Sequence, residues 1–169
     1  MRLLTQILFF ACIFSLSPPS IAGLSTATEI MQQVQERGVN SVVAELGADH
    51  EQKKVTDSIA SGNSEWLQLA FKLLPNIHSK FSKQTLESLT LALLNNPVEV
   101  LSLTKKHHTL AFSDICNIPS TITAITQQKL FLNSVISRLD LEKELNFGNT
   151  RENIETCRWE FEKIQNHYF

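Results

Sequence analysis

The chain has 169 residues, with 15 basic against 17 acidic side chains and a formal net charge of −2. That mildly acidic balance argues against a nucleic-acid binder, and the length is enough for about one domain with a buried core. Beyond Ala22 no segment is long and apolar enough to span a bilayer.

The opening stretch reads as an export signal, not as part of the fold. Arg2 supplies the positive n-region, and an apolar run from Ile7 to Leu16 supplies the h-region. Pro18-Pro19 breaks any helix there, and Ser20-Ile21-Ala22 presents small residues at both positions that signal peptidase reads. Cleavage after Ala22 leaves residues 23–169 as a single helical domain. As an uncleaved anchor the run falls short of the ~20 residues needed to cross a bilayer. Phe9-Phe10-Ala11 before Cys12 lacks the small-residue context of lipid attachment. The chain has no Asn-X-Ser/Thr acceptor with X other than Pro, which favours a bacterial periplasm over a eukaryotic secretory route. A periplasmic or secreted location is expected.

Helical spacing of apolar residues runs through nearly every later stretch, predicting an all-α array of about seven to eight short amphipathic helices. Thr26 or Thr28 caps a first helix that ends at Gly38. A second runs from Val39 to Leu46, with Val39, Val42, Val43 and Leu46 on one face and Gly47 closing it. Asp49 opens the third with Gln52 as its capping-box partner, and Val55 and Ile59 point inward before Ser61-Gly62 stops it. Asn63 caps the fourth, whose Trp66, Leu67, Ala70, Phe71 and Leu74 form a broad stripe up to Pro75.

The fifth helix spans about 82–94 and buries Leu86, Leu89 and Leu93. Asn96 then caps the sixth, Pro97 takes its first position and Glu99 completes a capping box. Val98, Val100, Leu101 and Leu103 are its core residues. A helical turn around Ser113 to Cys116 precedes Pro119. Ser120 to Thr126 is rich in Thr and Ile and has strand character. Ile122, Ile125, Leu132, Val135, Ile136 and Leu139 nevertheless keep helical spacing, so a helix is predicted. Asn149 caps the last helix with Glu152 at its third position, and Ile154, Cys157, Phe161, Ile164 and Tyr168 form one apolar seam.

Cleavage removes Cys12, and two thiols in an oxidising compartment pair, so Cys116 is predicted to bond Cys157 on that inward seam. The competing assignment makes Cys116 a nucleophile, with His107 or His108 as base and Asp114 nearby. It requires a lowered thiol pKa and isolation from Cys157.

Charge is unevenly spread. Gly23 to Glu65 is acidic, whereas Trp66 to Ser113 is basic through Lys72, Lys80, Lys83, Lys105 and Lys106, with His107 and His108 following. These seven are the candidate partner surface, for an anionic partner; ordinary solvated helix faces are the plainer reading. An internal echo also pairs Glu65 to Ala70, ending at Pro75, with Glu87 to Ala92, ending at Pro97, as stacked hairpins of a solenoid would.

The middle of the chain carries Ile59-Ala60-Ser61-Gly62-Asn63-Ser64-Glu65-Trp66-Leu67, then Leu74-Pro75, Asn96-Pro97 with Val100-Leu101, and Cys116. These motifs resemble a loose group of small periplasmic proteins from proteobacteria, over residues 59–116. They are structural motifs: helix stop, cap, Trp anchor and Pro. The resemblance implies location and a helical fold, and no catalytic residues.

Adjacent His107 and His108 point about 100° apart on a helix, and Lys105-Lys106 repel a cation, so the group reads as the end of a helix complementing its dipole. Asp49-His50-Glu51 falls in a first helical turn, where acids are expected. No His-Glu-X-X-His, Gly-rich phosphate loop or Gly-X-Ser-X-Gly occurs. Trp66 and Trp159 suit stacking on wall sugars or, more simply, a core. No catalytic residue, metal or cofactor is predicted. Three roles stay open. The first is a non-catalytic periplasmic interaction or binding protein with a protein partner in the cell envelope, one form being an immunity or inhibitor protein against an envelope-acting toxin or wall hydrolase. The second is an enzyme on envelope polymers, which needs a deep pocket holding two of Asp114, His107, His108 and Glu99. The third is a chaperone-like helper with an exposed apolar groove.

Overall fold

A computed structural model describes residues 26–46 and 49–168; the stretch read as an export signal (residues 1–22) and Gly47 lie outside the described residues. Among the described residues every regular element is helical. In chain order these are α1 Ala27–Arg37, α2 Val39–Glu45, α3 Asp49–Ala60, α4 Ser64–Leu73, α5 Ser79–Ala92, α6 Pro97–His107, α7 Phe112–Ile115, α8 Ile125–Leu145 and α9 Gly148–Tyr168, with a 3-10 turn at Leu74–Asn76. No described helix is long and apolar enough to cross a membrane.

Local chemistry explains most of the starts. At α1, Thr26 Oγ1 accepts the Glu29 N–H while Glu29 accepts the Thr26 N–H, a complete capping box. Asn63 Oδ1 accepts from the Glu65 and Trp66 N–H groups and starts α4. Asn63→Ala is expected to cost about 1 kcal/mol, read as a lower urea midpoint at constant slope. An unchanged midpoint would mean that packing alone places that helix end.

Several expected details differ. Asn96 caps α6, but its own N–H is already held by the Ala92 carbonyl at 2.8 Å. Glu99 therefore has no donor to take, and the box is half made. Gln52 closes no box either: its buried amide donates to the Leu46 carbonyl at 2.9 Å, tying α3 to the end of α2, and its Oε1 stays unpartnered. Helix α5 begins at Ser79, not near Ser82, because His78 Nδ1 accepts the Phe81 N–H; histidine is not a usual cap. Ser120 to Ala124 are neither helix nor strand. The Ile122 N–H bonds the Pro119 carbonyl, the Gln128 amide bonds the Ile122 carbonyl, and this turn delays α8 until Ile125, which is exposed. Helix α9 starts at Gly148, so Asn149 lies inside it and is not its cap. Its seam buries Ile154, Cys157 and Phe161 but leaves Tyr168 exposed.

The helices stack as hairpins. Helices α3 and α4 form one and α5 and α6 the next, with α5 packed beside α3 and α6 beside α4. Helix α1 covers the other flank of α4, and the α8–α9 hairpin closes the stack against α6 and α7. Flanked by α1, α2, α3 and α6, helix α4 buries Leu67, Leu69, Ala70, Phe71 and Leu73, while Trp66 is half-buried and Glu65, Gln68 and Lys72 form an exposed polar stripe. The hairpin register is not that of the sequence echo. Glu65 lies in the first turn of α4, a second hairpin helix, whereas Glu87 lies well inside α5, a first one. What matches is turn on turn. The Asn95 amide donates to the Ala60 carbonyl at 3.1 Å and the Asn96 amide to the Gly62 carbonyl at 2.9 Å. Cys116, at the end of α7, joins Cys157 of α9 through a buried disulfide, Cα–Cα 5.3 Å.

Candidate functional site

Three helices of the stack run in the same direction. The Asn96–Gly62 hydrogen bond puts the starts of α4 and α6 together, and the stacked rings of Phe71 and His107, 5.5 Å apart, put their ends together. Thr28 of α1 donates to Glu65 Oε2 at 3.0 Å, joining the first turns of α1 and α4. Each helix carries acid at its start and base at its end: Glu29 and Arg37 on α1, Glu65 and Lys72 on α4, Glu99 with Lys105, Lys106 and His107 on α6. Such charges complement each helix dipole. Parallel alignment puts the acids Glu29, Glu65 and Glu99 at one edge and the bases of α4 and α6 at the other, while at the end of α1 Glu36 and the paired Glu45 offset Arg37.

Between the edges runs a shallow groove. One part, about 240 Å³, is lined by Thr28, Met31, Gln35, Glu65 and Gln68 among others; the next, about 350 Å³, by Met31, Gln68, Lys72, Glu99, Ser102, Lys106 and His107 among others. Met31 and Gln68 belong to both, so the two parts are continuous across α1, α4 and α6. Arg37 is committed elsewhere: its hydrogen bond to Glu45 raises the guanidinium pKa, against desolvation, with the Coulomb attraction of the same carboxylate helping.

Of the seven basic candidates, Lys72, Lys106 and His107 share this groove. Lys105 and His108 are exposed at the end of α6, where His108 adopts φ +54 as the helix stops. Lys80 and Lys83 sit on α5, in the other layer of the stack, so the seven are not one surface. Sequence reasoning missed Met31, Gln68 and Ser102 and did not connect Glu65 with the groove. The signal was available in the polar stripes Glu65/Gln68/Lys72 and Glu99/Ser102/Lys106, spaced by three and four like one face of a helix.

The catalytic alternatives fare differently. Cys116 is disulfide-bonded and buried, so it offers no thiolate. Asp114 Oδ2 is taken by the Ala111 N–H at 2.8 Å. Glu99 and His107 line one groove, but two turns of α6 separate them by roughly 12 Å, far beyond the ~3 Å reach of a proton-transfer pair. Among the described residues no three His, Cys, Asp or Glu side chains gather as metal ligands. Trp159 is exposed, with Lys163 Nζ 3.8 Å from its ring centroid, so it anchors no core. Compared with known protein families, curated proteins and solved structures, the chain matches none.

Proposed function

We propose that the protein is an exported, non-catalytic binding protein of the periplasm that holds a protein or peptide partner against the α1–α4–α6 face. One observation carries the reading. Among the described residues, Lys72, Lys106 and Glu99 line the groove with no ion pair to neutralise them, although acid and base share the same surface. Charges left unpaired in a groove are available to a partner, and complementary charge sets partner choice and encounter rate more than raw affinity. The signal-like first 22 residues and the resemblance to small periplasmic proteins support export, and a buried disulfide suits an oxidising compartment.

A photocrosslinker at Gln68 or Ser102 is expected to capture a discrete partner in envelope extract, and one at Glu152, on α9, is not. The double change Lys72→Glu, Lys106→Glu is expected to abolish that capture. Equal labelling from both positions, or labelling indifferent to the charge reversal, would defeat the reading. Export has its own check: mass spectrometry of the native protein is expected to find a chain starting at or near Gly23.

A further inference from the structure

We infer that the outward face of α8 binds a second copy of this chain, the two helices packing antiparallel about a two-fold axis. Seven large apolar side chains are exposed among the described residues, and five of them fall between Ile125 and Phe147. Single scattered exposures need no explanation, but a contiguous patch marks an interaction surface. Leu130, Ser134, Ser137, Leu141 and Leu145 follow one another at steps of four, three, four and four, one stripe along the helix. All five are exposed, the leucines at 66, 52 and 64%. The core is served by another stripe of α8, through Phe131, Leu132, Val135 and Leu139.

The order of the stripe selects the occupant. Leu130, Ser134, Ser137 and Leu141 read the same in both directions about a midpoint between Val135 and Ile136. A half turn about that point sets Leu130 of one copy against Leu141 of the other, about 8 Å from the axis at each end. The small Ser134 and Ser137 then meet at the centre and let the helix axes approach to about 8 Å. Their hydroxyls can bond carbonyls four residues back in their own helix, so burial strands no donor. A self-complementary patch is what a two-fold dimer requires, and an unrelated partner has no use for it. The charges agree. Asp140 bonds Arg158 of α9, and Glu144 lies one turn further along that flank. Lys129 is on the same flank, lining a cavity with Gln165 and Asn166 of α9. Lys129 stands about 10 Å before the midpoint and Glu144 about 13 Å beyond it, so the half turn brings unlike charges level, twice. On the other flank Arg138 is neutralised within its own chain by Glu142 at 2.7 Å. Three leucines and Phe147 supply roughly half of the ~800 Å² that a standard interface takes from each partner, so the dimer is a reversible one. None of the residues lining the α1–α4–α6 groove belongs to α8, and the inference stands apart from the binding role proposed above.

The test is sedimentation velocity of the mature full chain, its disulfide intact, from about 5 to about 500 μM. Monomer is expected at the low end and dimer at the high end. Leu130→Glu or Leu141→Glu is expected to weaken association by at least about tenfold, since each change enters the dimer twice. Ser134→Arg with Ser137→Arg is expected to do the same with every leucine in place, and Lys83→Glu, on α5, to change nothing. Direction has its own readout. A short bis-maleimide is expected to join Leu130→Cys to Leu141→Cys protein in a mixture, and neither to itself, because like positions lie at least about 17 Å apart. A monomer throughout, or a dimer indifferent to the leucine changes, overturns the inference. So does self-linking of either cysteine variant as strong as the mixed link. A photocrosslinker at Ser137 that captures another protein and never a second copy overturns it in favour of that partner. Binding to phosphatidylglycerol vesicles that Leu145→Glu abolishes, with no dimer in solution, overturns it in favour of a lipid surface. Every substituted leucine is at least half-exposed, and circular dichroism checks that the variants stay folded.

Discussion

The double substitution Cys116→Ala, Cys157→Ala is expected to lower the free energy of unfolding by about 4 kcal/mol, the largest effect of any change considered. The two cysteines lie 41 positions apart. Joining them removes from the unfolded chain every conformation in which the ends of that loop are distant, a restriction that grows with the logarithm of loop length. In the folded state the bond ties α7 to α9, and so fastens the C-terminal hairpin to the α5–α6 hairpin. Both sulfurs belong to buried residues, and alanine keeps the site apolar, whereas serine would add an unpaired buried hydroxyl. Urea unfolding checks the expectation. The native protein in reductant and the double variant should share one midpoint, well below that of the oxidised protein. A difference under about 1 kcal/mol would show that the denatured chain is already held compact by other contacts.

The second large effect is expected at Gly62. Its φ of +77 is one that side chains rarely adopt, and a Cβ there would stand 2.9 Å from Asn95 Cβ, 3.1 Å from Asn96 Cβ and 3.3 Å from Asn96 N. The left-handed backbone costs a residue other than glycine roughly 1–2 kcal/mol, and forcing a methyl into packed space costs ~1–3 kcal/mol more. Gly62→Ala is thus expected to destabilise by about 3 kcal/mol in total. Gly148 is a useful comparison, since its φ is +55 with nothing within 4 Å of an added Cβ. Gly148→Ala should therefore show only the backbone part, about 1 kcal/mol. Matched urea curves for the two variants measure the turn-on-turn contact by difference. Equal losses would show that the hairpins do not depend on the close approach of their turns.

That contact also shows how far the sequence could be read. Asn63, Asn96-Pro97 and Thr26 announce helix starts because a cap is a bargain among four neighbouring residues, legible wherever those residues stand together. The inward positions Leu67, Leu89, Val100 and Cys157 follow from period alone, and all are buried. The start of α5 was not legible, because its cap is the ring of His78, a residue without cap preference. Ser120 to Ala124 failed for a related reason: a glutamine amide six positions away bonds a backbone carbonyl and holds the turn.

The seven basic residues mark a second boundary. Composition finds Lys72, Lys80, Lys83, Lys105, Lys106, His107 and His108, but cannot tell that α5 turns two of them into another layer. Helix content, the caps at Thr26, Asn63 and Asn96, the inward faces and the cysteine pairing are written locally or by elimination in the chain. The parallel alignment of α1, α4 and α6, and with it the two charged edges of the groove, comes from contacts between residues dozens of positions apart. Those contacts are stabilised by burial that exists only once the hairpins have stacked, and no local pattern encodes which helix lies beside which.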